Sequence, residues 1–411
     1  MRARWTEPDA RAVRGEVPGG AEVSAAVAEI LAAVRDGGDE RVLEYTRRFD
    51  APEPRPLRVG ADEPATALDP QVRAGLELAA ENVRRVAEAG LREPREVTLP
   101  QGHTVLLREE PVARAAVYVP GGRAPYPSTV IMGVVTARAA GVGEVVLCAP
   151  PGRDGDLDPV IAGAAALAGA DEVYRMGGAQ AIAALAYGTE SVAPVDVIVG
   201  PGNLYVQEAK RQVSGVVGID GFAGPSELVV IATAGADPEL VAADLAAQAE
   251  HGEGSAVIAV STERGLLERV ETLLDAVDSP AQGFLVAVGS ADEGLAFAEA
   301  YAPEHLELVG EEAEALAPRV RRAGCLFVGA AGATAFGDYV AGSNHVLPTG
   351  GAARFASGLG PGHFRRRMSE VRIGPGAAAA LAPAGASIAR AEGFERHATS
   401  MEARVRENPR P

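Results

Sequence analysis

Cysteine is scarce: Cys148 and Cys325 are the only two in 411 residues, too few for a disulfide framework or a zinc ribbon and suited to a reducing compartment. Cations are outnumbered, with 38 Lys plus Arg against 56 Asp plus Glu and a formal charge of −18. A phosphate polyanion is repelled by such a chain, and nucleic acid is not an expected partner. Lys210 is the single lysine, part of a compositional bias toward Ala and Arg that suggests no mechanism. Long apolar runs are missing as well. The uncharged run 159–170 falls far short of a membrane span, and MRARWTEPDARAVRGEVPGG at the start has no apolar core for an export signal. The expectation is a cytoplasmic protein with no membrane partner. No internal repeat of fixed period occurs, and no GxGxxG dinucleotide fingerprint.

What remains is material for a folded α/β protein. At about 150 residues per domain the length implies two or three domains. With 49 Gly and 29 Pro, the chain stays under the roughly 25–30% share that marks low complexity. From 113 to 328, short β-branched runs alternate with helix-length stretches, the pattern of parallel sheets covered by helices. Strands are expected at 115–119, 145–148, 172–175, 195–199, 228–232, 256–260, 284–288, 306–309 and 326–328, which is many for one sheet. Asp158-Pro159 and Asp237-Pro238 read as helix starts, a capping carboxylate before a proline. Gly169 and Gly252 read as stops. The first hundred residues read as amphipathic helices, with Val23, Val27, Ile30, Leu31 and Val34 near helical spacing and no chemistry. After Ser369 an Ala-rich tail carries one polar cluster, EGFERH.

Chemistry-bearing residues fall in separate blocks. Gln248 and His251 in LAAQAEHG lie three apart on one helix face, either a chelating pair or a polar face at a helix C-terminus, where His suits the dipole. Asp338 and His345 lie in FGDYVAGSNHVLP, read as a glycine-bearing loop, where each serves as turn former or ligand. With His251 and His397 they offer a thiolate-free donor set for a borderline divalent metal such as zinc. Glu304 and His305 adjoin in YAPEHLEL beside an expected strand. They read either as a solvated Glu beside a capping His or as a proton-transfer pair, placed where open α/β sheets collect reactive groups. GGAQA (177–181) and GPGN (200–203) follow strands and open helices, placing N–H groups for phosphate or making ordinary turns. Tyr118 in YVPGG offers a ring that can pack on a planar group. His103 and His363 fall in featureless polar stretches.

Taken in order, YVPGGRAPYPST, GGAQAIAALAYGTE, VGPGNLYVQEAKRQV, AGPSELVVIA, DLAAQAEHG, YAPEHLEL, GDYVAGSNHVLPTGGAARF and EGFERHA resemble histidinol dehydrogenase over nearly the whole chain from Tyr118 to His397. The resemblance implies a zinc-dependent, NAD-linked oxidation of L-histidinol to L-histidine through the aldehyde, the last two steps of histidine biosynthesis. It implies one zinc on Gln248, His251, Asp338 and His397, and NAD contacts from Tyr118, Gln180 and Asn203. Substrate would meet Ser226, His345 and Glu392 as well as the zinc residues and His305, with Ser128 close by. Glu304 and His305 match the family's proton acceptors.

The implied fold is two incomplete Rossmann-like, aldehyde-dehydrogenase-like α/β domains with a helical N-terminal and a small C-terminal extension. Its divisions would be a helical region leading into the first domain (1–117), an NAD-binding domain (118–226), a return to the first domain carrying zinc and catalytic residues (227–360), and a tail (361–411). The tail of such a homodimer reaches the neighbour's site, which would let Glu392 and His397 serve a partner subunit. Three positions depart from the usual pattern: Gly133, Thr136 and Val197. Rival readings are a paralogous zinc and NAD dehydrogenase for another small alcohol, a zinc hydrolase using His251, Asp338 and Glu304, and a catalytically inert binding protein.

Overall fold

The computed structural model describes residues 1–16, 22–60, 68–121, 124–222 and 224–405. Gly122 and Arg123 of YVPGGRAPYPST and Ala223 of AGPSELVVIA lie outside the described residues. The strands are β1 (Ala3–Thr6), β2 (Arg95–Thr98), β3 (Thr104–Pro111), β4 (Arg114–Tyr118), β5 (Glu144–Ala149), β6 (Glu172–Arg175), β7 (Val197–Val199), β8 (Gly218–Ile219), β9 (Glu227–Ala232), β10 (Ala256–Ser261), β11 (Gln282–Ala287), β12 (His305–Val309), β13 (Cys325–Val328) and β14 (Arg365–Arg372). The helices are α1 (Ala10–Glu16), α2 (Ser24–Phe49), α3 (Pro70–Ala89), α4 (Pro127–Ala139), α5 (Pro159–Ala168), α6 (Gly178–Tyr187), α7 (Leu204–Val213), α8 (Pro238–Ala249), α9 (Arg264–Leu274), α10 (Ala291–Tyr301), α11 (Glu311–Glu314), α12 (Thr334–Tyr339), α13 (Pro375–Ala391) and α14 (Glu395–Glu402). All nine expected strands are present, divided between two parallel sheets.

The chain forms two compact units, one of residues 1–90 and 112–364, the other of 91–111 and 365–411. The larger unit holds both parallel sheets. The first runs β6-β5-β4-β7-β8 and the second β1-β11-β10-β9-β12-β13. In the first, strand alternation splits the core: Ala115 and Val117 of β4 face α3, α4 and α5, while Ala116 and Tyr118 face α2, α6 and α7. The second repeats this, with Leu228 and Val230 of β9 against α8 and α9 and Val229 and Ile231 against α1 and α10. Both faces are covered, which is why these strands read as continuous apolar runs. Asp158 caps α5 by accepting from the Val160 N–H, and Asp237 caps α8 by accepting from Glu239. Gly169 ends α5 in the left-handed conformation.

The first hundred residues are not purely helical. Ala3–Thr6, with Ala3 buried, forms β1, which extends the second sheet by pairing with β11, and Arg95–Thr98 forms β2. In the smaller unit β14, β3 and β2 form an antiparallel sheet. There the expected tail, 361–411, contains a true strand, RRRMSEVR, which carries no apolar alternation. Cross-strand ion pairs hold it: Arg367 to Glu109 at 3.2 Å and Arg108 to Glu370 at 3.7 Å. Helices α13 and α14 pack through Ala386, Ala389 and Ala398, and Arg390 joins Glu395 and Glu402.

Candidate functional site

In the first parallel sheet the chain starts at the central β4, lays β5 and β6 outward on one side, then crosses to β7 and β8; in the second, apart from the edge strand β1, it starts at β9, lays β10 and β11 outward and crosses to β12 and β13, so the order reverses between β4 and β7 and again between β9 and β12. The first sheet presents YVPG (118–121) and GPGN at the carboxyl ends of β4 and β7, flanking its switch point. The proton-transfer pair sits elsewhere. Glu304 precedes β12 and His305 opens it, so the pair stands just before a strand, as expected, at the amino edge of the second sheet. Helix α8 returns from the far end of β9 and delivers Gln248 and His251, in and just beyond its last turn, to the same amino ends of the strands.

At that edge the groups converge. Leu306 and Leu308 of β12 pack with α1 and α10, so His305 and Glu307 face the opposite side, toward α8. His305 Nδ1 lies 3.6 Å from Glu304 Oε2, and its Nε2 lies 3.8 Å from Asp338 Oδ1. Asp338 rides on α12, a short helix where a loop was expected, because TAFGDY buries Thr334 and Gly337 on one side. The Asp338 carbonyl accepts from His345 Nδ1 at 3.1 Å, and His345 Nε2 meets Thr129 Oγ1 at 3.0 Å. Thr129 stands in the first turn of α4, which follows β4. The carboxyl side of one sheet is thereby joined to the amino edge of the other. His251 Nδ1 donates to the Gln248 carbonyl at 3.0 Å, which puts the ring proton on Nδ1.

Burial governs the electrostatics. Glu304, 5% exposed, has its proton affinity raised well above the carboxylate range by burial, with the Glu227 and Asp338 charges adding and the Glu227 N–H and Ser226 hydroxyl opposing. That N–H donates to Glu304 Oε2 at 2.8 Å. Burial pushes His305 down to about 3 and His345 to about 4. Asp338 is pushed up to about 6 by burial, opposed by His251. Burial thus acts against the charged form of both groups, raising the proton affinity of the Glu304 carboxylate and lowering that of the His305 imidazole. Behind them Asp244 of α8 hydrogen-bonds Glu307, whose proton affinity burial raises to about 9.

The candidate cofactor residues sit at the first sheet. Tyr118 is 3% exposed, so its ring packs inside the sheet and its hydroxyl accepts from the Gly178 N–H at 3.1 Å. Gln180 Nε2 lies 3.4 Å from Asp50 Oδ2. Asn203 Oδ1 caps α7 by accepting from Tyr205 and Val206, which leaves its amide N–H₂ as donor. The three departures from the family pattern are packing positions. A Cβ on Gly133 would meet Val117, Thr136 bonds the Met132 carbonyl at 2.6 Å, and Val197 is core. Ser226 and Ser128 stand at the starts of β9 and α4.

Glu392 and His397 belong to the smaller unit. Both are exposed, Glu392 at the end of α13 and His397 on α14 with its ring stacked on Phe394. Among the described residues no group of three or more His, Cys, Asp or Glu is arranged to hold a metal.

Sequence reasoning missed Thr129, Glu227 and Arg14. Glu227 is buried, anchored by Arg14 Nη1 at 2.5 Å, and it supplies the N–H that holds Glu304. The signal was a charged residue opening an otherwise apolar strand, in PSELVVIA. Arg14 lies on a helix that offered no pattern.

Two open parallel sheets, with a buried acid–imidazole pair on one and glycine turns opening helices on the other, define an α/β protein with titratable groups gathered at one sheet edge. The sequence profile of histidinol dehydrogenase matches residues 16–405, and this chain belongs to the histidinol dehydrogenase family. It is 45% identical over 402 residues to a histidinol dehydrogenase of Ruegeria pomeroyi, covering 93% of this chain and 92% of that one. It is 44% identical over 402 residues to one of Parasynechococcus marenigrum, with 93% and 91% covered. A crystal structure of histidinol dehydrogenase from Elizabethkingia anophelis superposes with a TM-score of 0.93 at 31% identity, covering 98% of each chain. The chain is thus an oxidoreductase of histidine biosynthesis. Among the described residues no helix is long and apolar enough to cross a membrane.

Proposed function

We propose that this enzyme carries out a zinc-dependent, four-electron oxidation of L-histidinol to L-histidine through L-histidinaldehyde, passing two hydrides to two NAD in turn. The observation that carries the reading is the convergence of Glu304, His305, Asp338 and His345 at one sheet edge, with α8 bringing Gln248 and His251 there. A divalent cation fits these residues. Gln248 is 2% exposed with an unpartnered amide nitrogen, and exchanging the amide's O and N would aim an acceptor at an ion. Asp338 is a partly buried carboxylate whose raised proton affinity a cation would relieve. One chain's larger unit offers two of the metal-binding types, His251 and Asp338, beside that amide. The fourth donor in this reading is His397 of the exposed α14, brought by a partner subunit in a homodimer.

Zinc, when bound, would supply a grip on the substrate's imidazole and amine, and NAD would supply the hydride acceptor. The rest falls to the chain. His305, kept neutral by burial, takes the hydroxyl proton as the first hydride leaves the alcohol carbon. Glu304, high in proton affinity, takes a proton from the water that adds to the aldehyde before the second hydride leaves the same carbon. Ser226, His345 and Glu392 orient the substrate, and Asp338 or Glu392 faces its ammonium. Residues 118–226 hold NAD through Tyr118, Gln180 and Asn203. The N-termini of α6 and α7 aim N–H groups at its phosphates, and Gly200, at φ 119°, brings its turn so close that a Cβ would strike the Tyr118 carbonyl. A thiol mechanism has no support, since burial pushes the Cys148 and Cys325 thiols up. The test is zinc analysis with a histidinol and NAD assay before and after chelation. One zinc per subunit, activity lost on chelation and restored by zinc supports the reading. NADH formation that survives complete metal removal overturns it.

A further inference from the structure

The chain's single lysine is spent inside the protein. Lys210, on α7, is 1% exposed and ion-paired with Asp220, itself 5% exposed. Lys210 Nζ also donates to the Gly200 carbonyl at 3.0 Å, and Asp220 Oδ2 accepts the Gly200 N–H at 2.7 Å. Both backbone groups of one glycine are thus gripped by the two ends of one buried ion pair, closing a ring from Gly200 through Lys210 and Asp220 back to Gly200. Gly200 opens the GPGN turn that follows β7 at the switch point, at a positive φ and against the Tyr118 carbonyl. Asn203, the last residue of that turn, caps the helix that carries Lys210.

We infer that Lys210 and Asp220 are positioning residues for NAD, clamping the 200–203 turn in the shape that receives the cofactor. This rests on the reading of the first sheet as the NAD site. A buried ion pair is a poor source of net stability, because desolvation consumes most of the Coulomb gain. Here the pair is aimed at a turn and satisfies backbone groups that would otherwise be buried or would face the cofactor. The clamp acts at the cofactor turn, away from the groups at the second sheet's edge, so its loss should separate cofactor affinity from chemistry.

The test compares wild type with Lys210→Met and with the double variant Lys210→Met/Asp220→Asn. The double variant leaves no unpaired buried charge and keeps an amide acceptor for the Gly200 N–H. NADH affinity by fluorescence titration and KM for NAD should both weaken about tenfold or more, with kcat changed less than threefold and zinc content unchanged. Variants that melt earlier yet bind NADH as wild type does would overturn the clamp. Wild type that binds no NADH would instead overturn the cofactor reading beneath it. Because lysine occurs once, [15N]lysine labelling gives a single side-chain signal, which decides the matter even if the variants do not fold. Movement of that signal on adding NADH to wild type supports the clamp, and a signal indifferent to saturating NADH contradicts it.

Discussion

The first sheet's carboxyl edge and the second sheet's amino edge carry opposite kinds of equipment. In the proposed function, backbone does the work at the first: glycine turns, two helix N-termini and the Asn203 cap, with the nearby ion pair of Lys210 and Asp220 turned inward. At the second, side chains do it: Glu304, His305, Asp338, His345, Gln248 and His251, with buried Glu227 and Asp244 behind them. A dinucleotide presents phosphates and flat rings, which fixed N–H groups and close backbone approach serve well. Proton transfer needs groups whose proton affinity burial can shift, and only side chains provide those. The same parallel architecture yields both edges because α8 returns to the amino ends while α4, α6 and α7 start from the carboxyl ends.

The largest expected effect falls on the side-chain edge. Glu304→Gln keeps the acceptor for the Glu227 N–H yet removes the base, so oxidation of the aldehyde should slow by about 10²–10⁴-fold, with the alcohol step much less affected. Stopped-flow NADH traces from histidinol and from histidinaldehyde separate the two, and equal loss at both steps would dissolve the division of labour between Glu304 and His305. Next comes the donor assigned to a partner subunit. Neither His397→Ala nor Glu304→Gln should turn over at an appreciable rate alone. Mixed dimers of the two should regain activity, since one site then has an intact body and an intact tail. Absence of any regain would place His397 in its own subunit's site or outside it. The smallest effect tests the seam between the two edges. Thr129→Val removes the hydroxyl at His345 Nε2 and should cost about 1 kcal/mol, roughly fivefold in substrate KM. An unchanged KM would show that the seam does not steer the substrate.

Much of the fold was legible because both parallel sheets are buried on two faces, which writes each strand as a short apolar run. The elements that escaped obey other rules. β14 is held by Arg–Glu pairs across strands, and β1 is four residues whose partner, β11, lies nearly 280 residues away. Asp338 was read into a loop because α12 spans a single turn and a half with a glycine inside. At the site, residue types announced themselves where His, Glu and Asp stood in recognisable blocks. Thr129, Glu227 and Arg14 did not, since their importance comes from contacts made across the fold. Lys210 looked like compositional residue in the sequence, and only its burial gives it meaning.

The most direct test of the central claim is the number of NADH formed per L-histidinol consumed, measured to completion with excess NAD. Two NADH with L-histidine as product is the predicted result. One NADH with aldehyde accumulating would contradict the assignment of both oxidations to this site.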